Sequence, residues 1–193
     1  MARPKEFDRD VALKRAIEVF CDVGFEGAST DDLLRRMRIS RQSLYDTFGD
    51  KRALYLEALG HYLAERVATQ IRVLSAEASP LKGLEAALNT FATAGPQGTS
   101  SGCMGIGAIS EFGRSDPEIA ALIDAADRPL ISAIRHRIEE GKAKGEISAG
   151  VDPQAAAEFV TATFVGIKLA ARGGASRQTL RNIARMSMRG LRY

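Results

Sequence analysis

A short polar segment near the N-terminus carries side chains whose types suit nucleic-acid recognition. Arginine can donate two parallel hydrogen bonds to guanine and glutamine can pair with adenine, while serine, threonine and tyrosine hydroxyls suit backbone phosphates. Residues 41–47 place such groups on the polar face of one predicted helix, namely Arg41, Gln42, Ser43, Tyr45 and Thr47. This pattern indicates a surface that reads base edges and binds phosphates of double-stranded DNA.

Positive charge is concentrated around the same segment. Between Leu34 and Arg52 the sequence has six basic and two acidic residues, although the whole chain carries a net charge of only +3. Clustered positive charge is the electrostatic footprint of phosphate binding. A solvated surface without a partner is the alternative that charge alone leaves open.

The elements around this segment predict a helix-turn-helix. Ser29 or Thr30 caps a short helix, whose apolar residues are Leu33, Leu34 and Met37. After a three-residue connection, Ser40 caps a second short helix from Arg41 to about Thr47. This geometry places the second helix in the major groove, and free N–H groups at helix N-termini suit phosphates. A small helical bundle with a polar surface is the competing interpretation.

Helical periodicity extends over the whole chain, and no segment alternates for long enough to indicate a strand. The predicted fold class is therefore all-α. We expect Gly24 to stop the first helix and Pro129 to kink a long one. The other predicted helices, besides the two of the helix-turn-helix, span residues 9–23, 51–74, 81–93, 103–112, 117 onward, 153–172 and 176–191.

Three runs of the N-terminal sequence closely resemble the DNA-binding domain of TetR/AcrR-family regulators. They are FCDVGFEGAS at residues 20–29, STDDLL at 29–34 and ISRQSLYDTFGDKRAL at 39–54. The resemblance is dense over residues 8–60 and looser beyond. One position departs from the family pattern, because Arg38 stands in the turn where the family often has glycine. A left-handed backbone there costs a non-glycine residue roughly 1 kcal/mol, which a fold tolerates.

The resemblance implies an N-terminal three-helix helix-turn-helix domain at residues 1–50. It also implies a linking helix and a long-helix C-terminal ligand-binding and dimerisation domain at residues 51–193. By that resemblance Arg41 to Ser43 face bases, Tyr45, Thr47 and Lys51 contact phosphates, and Thr30 anchors the first helix of the motif on the DNA backbone. With Ser40, these are the predicted DNA-binding residues.

The same resemblance implies a transcriptional regulator, which we expect to be a repressor. A small molecule or a cysteine modification would release it from a palindromic operator. An activator of the same fold is the alternative, followed by a helical protein-interaction module that does not bind DNA.

The last two predicted helices, within residues 153–191, indicate a homodimer. Phe159, Val160, Phe164, Val165, Ile167 and Leu169 spread around the first of them. A helix that is apolar on more than one side needs cover on more than one side. In the resembling family these helices form a four-helix bundle across a two-fold axis. A fully intramolecular core is the alternative.

Cys103 is a candidate sensor because it opens a predicted helix, where the helix dipole lowers the pKa of a thiol. Some TetR-like proteins with a similar Gly-Cys at this point respond to electrophiles or oxidants. A small buried core residue beside a ligand pocket is the simpler interpretation. The predicted effector-binding or sensing residues are Phe91, Cys103, Met104, Ile109, Phe112, Ile123 and Phe164.

Other function classes find little support in the sequence. The two histidines, His61 and His136, lie far apart, and no catalytic triad, metal-ligand spacing or phosphate-binding loop can be assembled. We therefore expect no catalysis, no metal and no cofactor. Two cysteines without a secretory signal or an apolar span indicate a cytoplasmic protein with no membrane partner.

Overall fold

A computed structural model describes residues 7–93 and 102–192, except for the side chains of Phe91 and Thr93. Within these residues the chain forms nine α-helices and no strand, which confirms the all-α prediction. The helices are α1 Arg9–Gly27, α2 Thr30–Met37, α3 Arg41–Phe48, α4 Lys51–Ala76, α5 Pro80–Thr93, α6 Met104–Phe112, α7 Pro117–Ala143, α8 Pro153–Arg172 and α9 Arg177–Arg192. None of the described helices combines the length and apolar character needed to cross a bilayer.

The chain divides into two compact units. Unit 1 comprises Met1–Leu63 and Gly98–Ile123, and unit 2 comprises Ala64–Gln97 and Asp124–Tyr193. This partition differs from a division at residue 50, because the start of α4 and all of α6 group with the N-terminal helices. Sequence periodicity identifies helices but does not tell which of them pack together.

The helix-turn-helix in unit 1 is fixed by two serine caps and one strained turn. Ser29 accepts a hydrogen bond from the Asp32 N–H, and Ser40 accepts one from the Ser43 N–H, both at 3.0 Å. Each cap satisfies an N–H group that has no partner within its helix. Arg38 takes the left-handed conformation with φ 58° and ψ 47°, which confirms the expected turn.

The predicted left-handed stop at Gly24 is confirmed, although one further helical turn extends α1 to Gly27. The backbone turns there with φ 74°, then becomes helical again as far as Gly27. The Glu111 carboxylate of α6 accepts hydrogen bonds from the N–H groups of Phe25 at 2.9 Å and Glu26 at 3.4 Å. This side chain acts as the N-terminal cap of the added helical turn.

Two glycines allow α6 to pack closely on α1 within unit 1. A Cβ atom on Gly24 would lie 1.7 Å from a Glu111 carboxylate oxygen, and one on Gly102 would lie 1.4 Å from the Cys21 carbonyl oxygen. Neither position can accept a side chain without displacement of its neighbour. The helix α6 is therefore held against α1 at both of its ends.

Unit 2 is built around the packing of α5, α8 and α9 with the second parts of α4 and α7. Its buried core includes Leu84 and Leu88 of α5, Ile134 of α7, Phe164 of α8 and Leu180 of α9. Pro129 lies inside α7, which continues past it to Ala143. Pro129 is exposed, and water can therefore hydrogen-bond the carbonyl that proline leaves unpaired.

Candidate nucleic-acid interface

The short helix α3 has one buried and one exposed face. Leu44 is completely buried and Phe48 is 6% exposed, so these residues hold α3 on the core of unit 1. Arg41, Gln42 and Tyr45 are exposed on its other side, with Tyr45 49% exposed. The structure therefore presents these three predicted contacts to solvent on a helix that is anchored from behind.

The predicted base-reading side chains are hydrogen-bonded to nearby carboxylates in the DNA-free protein. Arg41 Nη2 lies 2.6 Å from Asp31 Oδ1, and Gln42 Nε2 donates to Asp46 Oδ1 at 2.7 Å. The Arg41–Asp31 pair is mostly exposed, and exposed ion pairs contribute little to stability. Base edges or phosphates can replace these carboxylates at small cost.

The net positive charge around the basic cluster is smaller than a count over residues 34–52 suggests. Four of its arginines form ion pairs, and the partners lie outside that window: Arg35 with Asp32, Arg36 with Glu18, Arg41 with Asp31 and Arg52 with Asp116. The Arg35–Asp32 pair is local to α2, whereas packing between elements brings the other three pairs together, which sequence reasoning missed.

Arg52 is the most strongly engaged of these arginines. Its guanidinium lies 2.8 Å from Asp116 and 2.7 Å from Glu118, at the start of α7. The hydrogen bond from Arg52 lowers the pKa of the Asp116 carboxyl. Arg52 therefore ties the first turn of α4 to the first turn of α7 within unit 1, and it is less free to bind phosphate than Lys51.

Lys51 is supported by an aromatic cluster. Its Nζ lies 4.4 Å from the centroid of the Phe25 ring, which is cation–π geometry. Phe25 contacts Tyr55 at 5.0 Å and Phe112 at 5.7 Å between ring centroids. This cluster supports Lys51 at the first position of α4, where Asp50 accepts a hydrogen bond from the Ala53 N–H.

The remaining predicted DNA contacts lie at helix starts or on α3. Thr30 is the first residue of α2 and is partly buried. Ser40 and Ser43 share a hydrogen bond at 2.9 Å between their hydroxyls, which orients both at the N-terminus of α3. Thr47 is partly buried. Residues from the N-termini of α2, α3 and α4 thus supply most of the candidate surface.

The predicted effector-binding residues are divided between the two units. Cys103, Met104, Ile109, Phe112 and Ile123 belong to unit 1, whereas Phe164 is buried in the core of unit 2. Phe112 is part of the aromatic cluster under Lys51, and Ile109 is 46% exposed. The side chain of Phe91 lies outside the described part of the chain.

Cys103 is the N-cap residue of α6 and is 6% exposed. The Tyr62 hydroxyl donates a hydrogen bond to its Sγ at 3.2 Å. Cys21 is also buried, and burial raises the pKa of its thiol to about 11, so this thiol stays protonated at neutral pH.

Among the described residues, no group of three or more His, Cys, Asp or Glu side chains could hold a metal ion.

The helix-turn-helix with an exposed polar second helix, followed by a helical body, defines the class of DNA-binding transcriptional regulators. Residues 12–58 match the family model described as bacterial regulatory proteins, tetR family, and residues 80–187 match the tetracyclin repressor-like C-terminal domain. The chain belongs to the TetR family. The sequence-based family prediction is confirmed.

Two relatives match over nearly the whole chain. An uncharacterized HTH-type transcriptional regulator, YezE of Bacillus subtilis, is 32% identical over 97% of this chain and 98% of its own length. The HTH-type transcriptional repressor ComR of Escherichia coli is 29% identical over 97% of this chain and 90% of its own length.

Solved structures share the fold over its whole length. A cysteine mutant of the TetR-family regulator CifR, solved in complex with a 26-bp double-strand operator DNA, superposes with a TM-score of 0.82. It is 30% identical, and the match covers 98% of this chain and all of that one. The reduced form of Escherichia coli NemR has the same fold at 20% identity, with a TM-score of 0.82 over 95% of this chain and 97% of its own.

Proposed function

We propose that this chain is a homodimeric repressor that binds a palindromic operator and is released by a small molecule or by modification of Cys103. The observation that carries the proposal is the exposed polar face of α3, which presents Arg41, Gln42 and Tyr45 from a rigid helix-turn-helix. Residues 1–50 carry the DNA-binding function, and residues 51–193 carry effector binding and dimerisation.

The α3 helix enters the major groove. Arg41, Gln42 and Ser43 face base edges, while Thr30, Ser40, Tyr45, Thr47 and Lys51 hold the DNA backbone. Arginine and lysine provide much of the affinity through release of counterions from the phosphates. The repressor ComR of Escherichia coli and the operator complex of CifR, both similar to this chain, support this role.

An apolar surface on α8 and α9 supports dimer formation. Phe159 is 52% exposed, Leu169 57% and Met186 55%, although the opposite side of α8 is buried in the core of unit 2. Exposed apolar groups of this size, gathered on adjacent helices, mark an interaction surface. A second copy of α8 and α9 covers it in a two-fold four-helix bundle.

Release follows from a shift between a DNA-binding and a non-binding dimer. The tight packing of α6 on α1 supports one route, because Cys103 caps α6 while Gly102 contacts the Cys21 backbone. A bulky adduct on Cys103 displaces α6, and α6 then pulls on α1 of the DNA-binding unit. A ligand bound in the C-terminal body acts on the same equilibrium.

The chain acts in the cytoplasm, where its operator lies, and catalyses no reaction. Two alternatives have less support. An activator would use the same surface to bind DNA. A protein-interaction module that does not bind DNA would not explain why Arg41 and Gln42 are exposed on α3.

Selection from a pool of random duplexes tests the proposed function. Two recognition helices related by a two-fold axis lie about 34 Å apart and read half-sites one helical turn apart. We expect enrichment of a palindrome with that spacing, and loss of the enrichment in the Arg41→Ala, Gln42→Ala double variant. A pool that stays random, or a single unrepeated half-site, would contradict the proposal.

A further inference from the structure

The buried face of α4 contains a glutamine where helical periodicity calls for an apolar residue. Val67, Gln70 and Leu74 share one face of α4 within unit 2, and they are 7%, 5% and 1% exposed. The helix therefore places a primary amide among the side chains that form the core of unit 2. Glutamine is rarely buried to this extent.

The amide of Gln70 has no hydrogen-bond partner among the residues that the structure describes. Both its Nε2 and its Oε1 are buried, and neither makes a hydrogen bond. An unmet donor and an unmet acceptor in an apolar surrounding destabilise the ligand-free protein. Buried polar groups nearly always have partners, so an orphaned donor and acceptor need an explanation, and a bound ligand would supply one.

A second polar pair lies close to this amide along α4. Arg66 precedes Gln70 by one helical turn, and its Nε is also buried without a hydrogen bond. Its Nη2 lies 3.5 Å from Asp127 Oδ1 of α7, which is a loose ion pair. The pair leaves the Arg66 Nε–H group free to donate to a ligand, while the charges of Arg66 and Asp127 cancel.

We propose that Gln70, together with Arg66 and Asp127, is the polar subsite that recognises the effector, a neutral small molecule with an apolar body and a carboxamide-like edge. The inference rests on the proposed function insofar as the effector binds in the C-terminal body. None of these three residues was among the effector-binding residues predicted from the sequence.

The chemistry of the three side chains selects this ligand class. Gln70 offers one acceptor oxygen and an N–H donor side by side, which matches the carbonyl and N–H of an amide. Because Arg66 and Asp127 pair with each other, the subsite has no net charge to compensate a charged ligand. The apolar core around Val67 and Leu74 suits the body of the ligand, as in most small-molecule sites.

Benzamide, benzoate and ethylbenzene are matched probes for this subsite, because they share a ring and differ in the polar group. Calorimetric titration of the DNA-free protein measures their dissociation constants, and thermal unfolding measures the stability of the ligand-free state. Gln70→Met removes the amide at similar length, and Gln178→Met removes an exposed glutamine of α9 as the matched control. Arg66→Lys keeps the charge opposite Asp127 and removes the Nε–H donor.

Wild-type protein should bind benzamide at least about tenfold more tightly than benzoate or ethylbenzene, since a well-placed buried hydrogen bond accounts for about that factor. Gln70→Met and Arg66→Lys should lose this preference, and Gln178→Met should keep it. Gln70→Met should also raise the unfolding midpoint without ligand by about 2–4 °C, because the orphaned amide is gone.

Equal benzamide affinity in wild type and Gln70→Met would overturn the proposal. A lower unfolding midpoint in Gln70→Met would do the same, since it would show that the amide is satisfied by water and is structural. These readouts need no DNA. Failure of the subsite therefore leaves operator binding intact, and failure of operator binding leaves the subsite result intact.

Discussion

Arg41 and Lys51 differ in what each side chain touches, although both lie at the N-terminus of a helix in unit 1. Arg41 projects from the exposed face of α3, whereas Lys51 stands over the Phe25 ring at the start of α4. An arginine that pairs with guanine discriminates between bases, while a lysine on a phosphate binds every sequence alike.

We predict that Arg41→Ala relaxes base preference at one position of each half-site, by about 1–3 kcal/mol. Lys51→Ala should weaken binding to all sequences and reduce the slope of log K against log salt by about 0.9. Anisotropy titrations on matched and mismatched duplexes at several salt concentrations separate the two effects. Identical behaviour of the two variants would show that the assignment of base and phosphate contacts is wrong.

Cys103 and Cys21 provide a matched pair of buried thiols. We predict that N-ethylmaleimide, which adds to a thiol, lowers operator affinity through Cys103 because the adduct displaces α6. The Cys103→Ser variant should keep its affinity after the same treatment. Cys21, whose thiol pKa burial raises to about 11, should remain unmodified at pH 7 by peptide mass spectrometry. Unchanged operator affinity of wild-type protein alkylated at Cys103 would exclude the sensor role.

Among the helices, the contact between α1 and α6 depends on Gly24. We predict that Gly24→Ala lowers the free energy of unfolding by roughly 1–3 kcal/mol, because φ is positive and the new Cβ meets Glu111. Gly107→Ala is the control, since a Cβ there meets nothing within 4 Å and alanine favours the helix. Urea unfolding should show opposite signs for the two variants. A stability loss shared by both would argue against a specific role for Gly24.

The helix-turn-helix was predictable from sequence because local rules determine it. Ser29 and Ser40 cap their helices, Leu33, Met37 and Leu44 form the seam, and Arg38 makes the turn. These features involve residues a few positions apart, so periodicity and capping preferences suffice. The same holds for the all-α fold, whose helix ends differ from expectation by only a few residues in most cases.

Features made by distant residues could not be predicted in the same way. Glu111 caps the last turn of α1 from 86 positions away, and Arg52 meets Asp116 across 64 positions. The effector residues were chosen as apolar side chains near one loop, yet the structure distributes them between two units. Gln70 was overlooked because its signal, an orphaned buried amide, exists only once burial is known.

At the scale of the whole molecule, binding to a palindromic operator needs a dimer, which we propose is formed by α8 and α9. We predict that Leu169→Glu converts the protein to a monomer, because it places a charge on an apolar surface that is 57% exposed in the single chain. Operator affinity should fall as well, because each monomer then binds one half-site independently of the other. Gln178→Glu adds the same charge to a solvated part of α9 and should remain dimeric. Sedimentation velocity distinguishes these states, and a dimeric Leu169→Glu would place the interface elsewhere.

Fluorescence anisotropy tests sequence-specific binding of operator DNA most directly. The purified protein is titrated at physiological salt onto duplexes tiled across the DNA upstream of its own gene and onto shuffled duplexes of equal length. We predict that one upstream duplex binds at least about a thousandfold more tightly than its shuffled counterpart. Equal, weak and salt-sensitive binding to every duplex would contradict it.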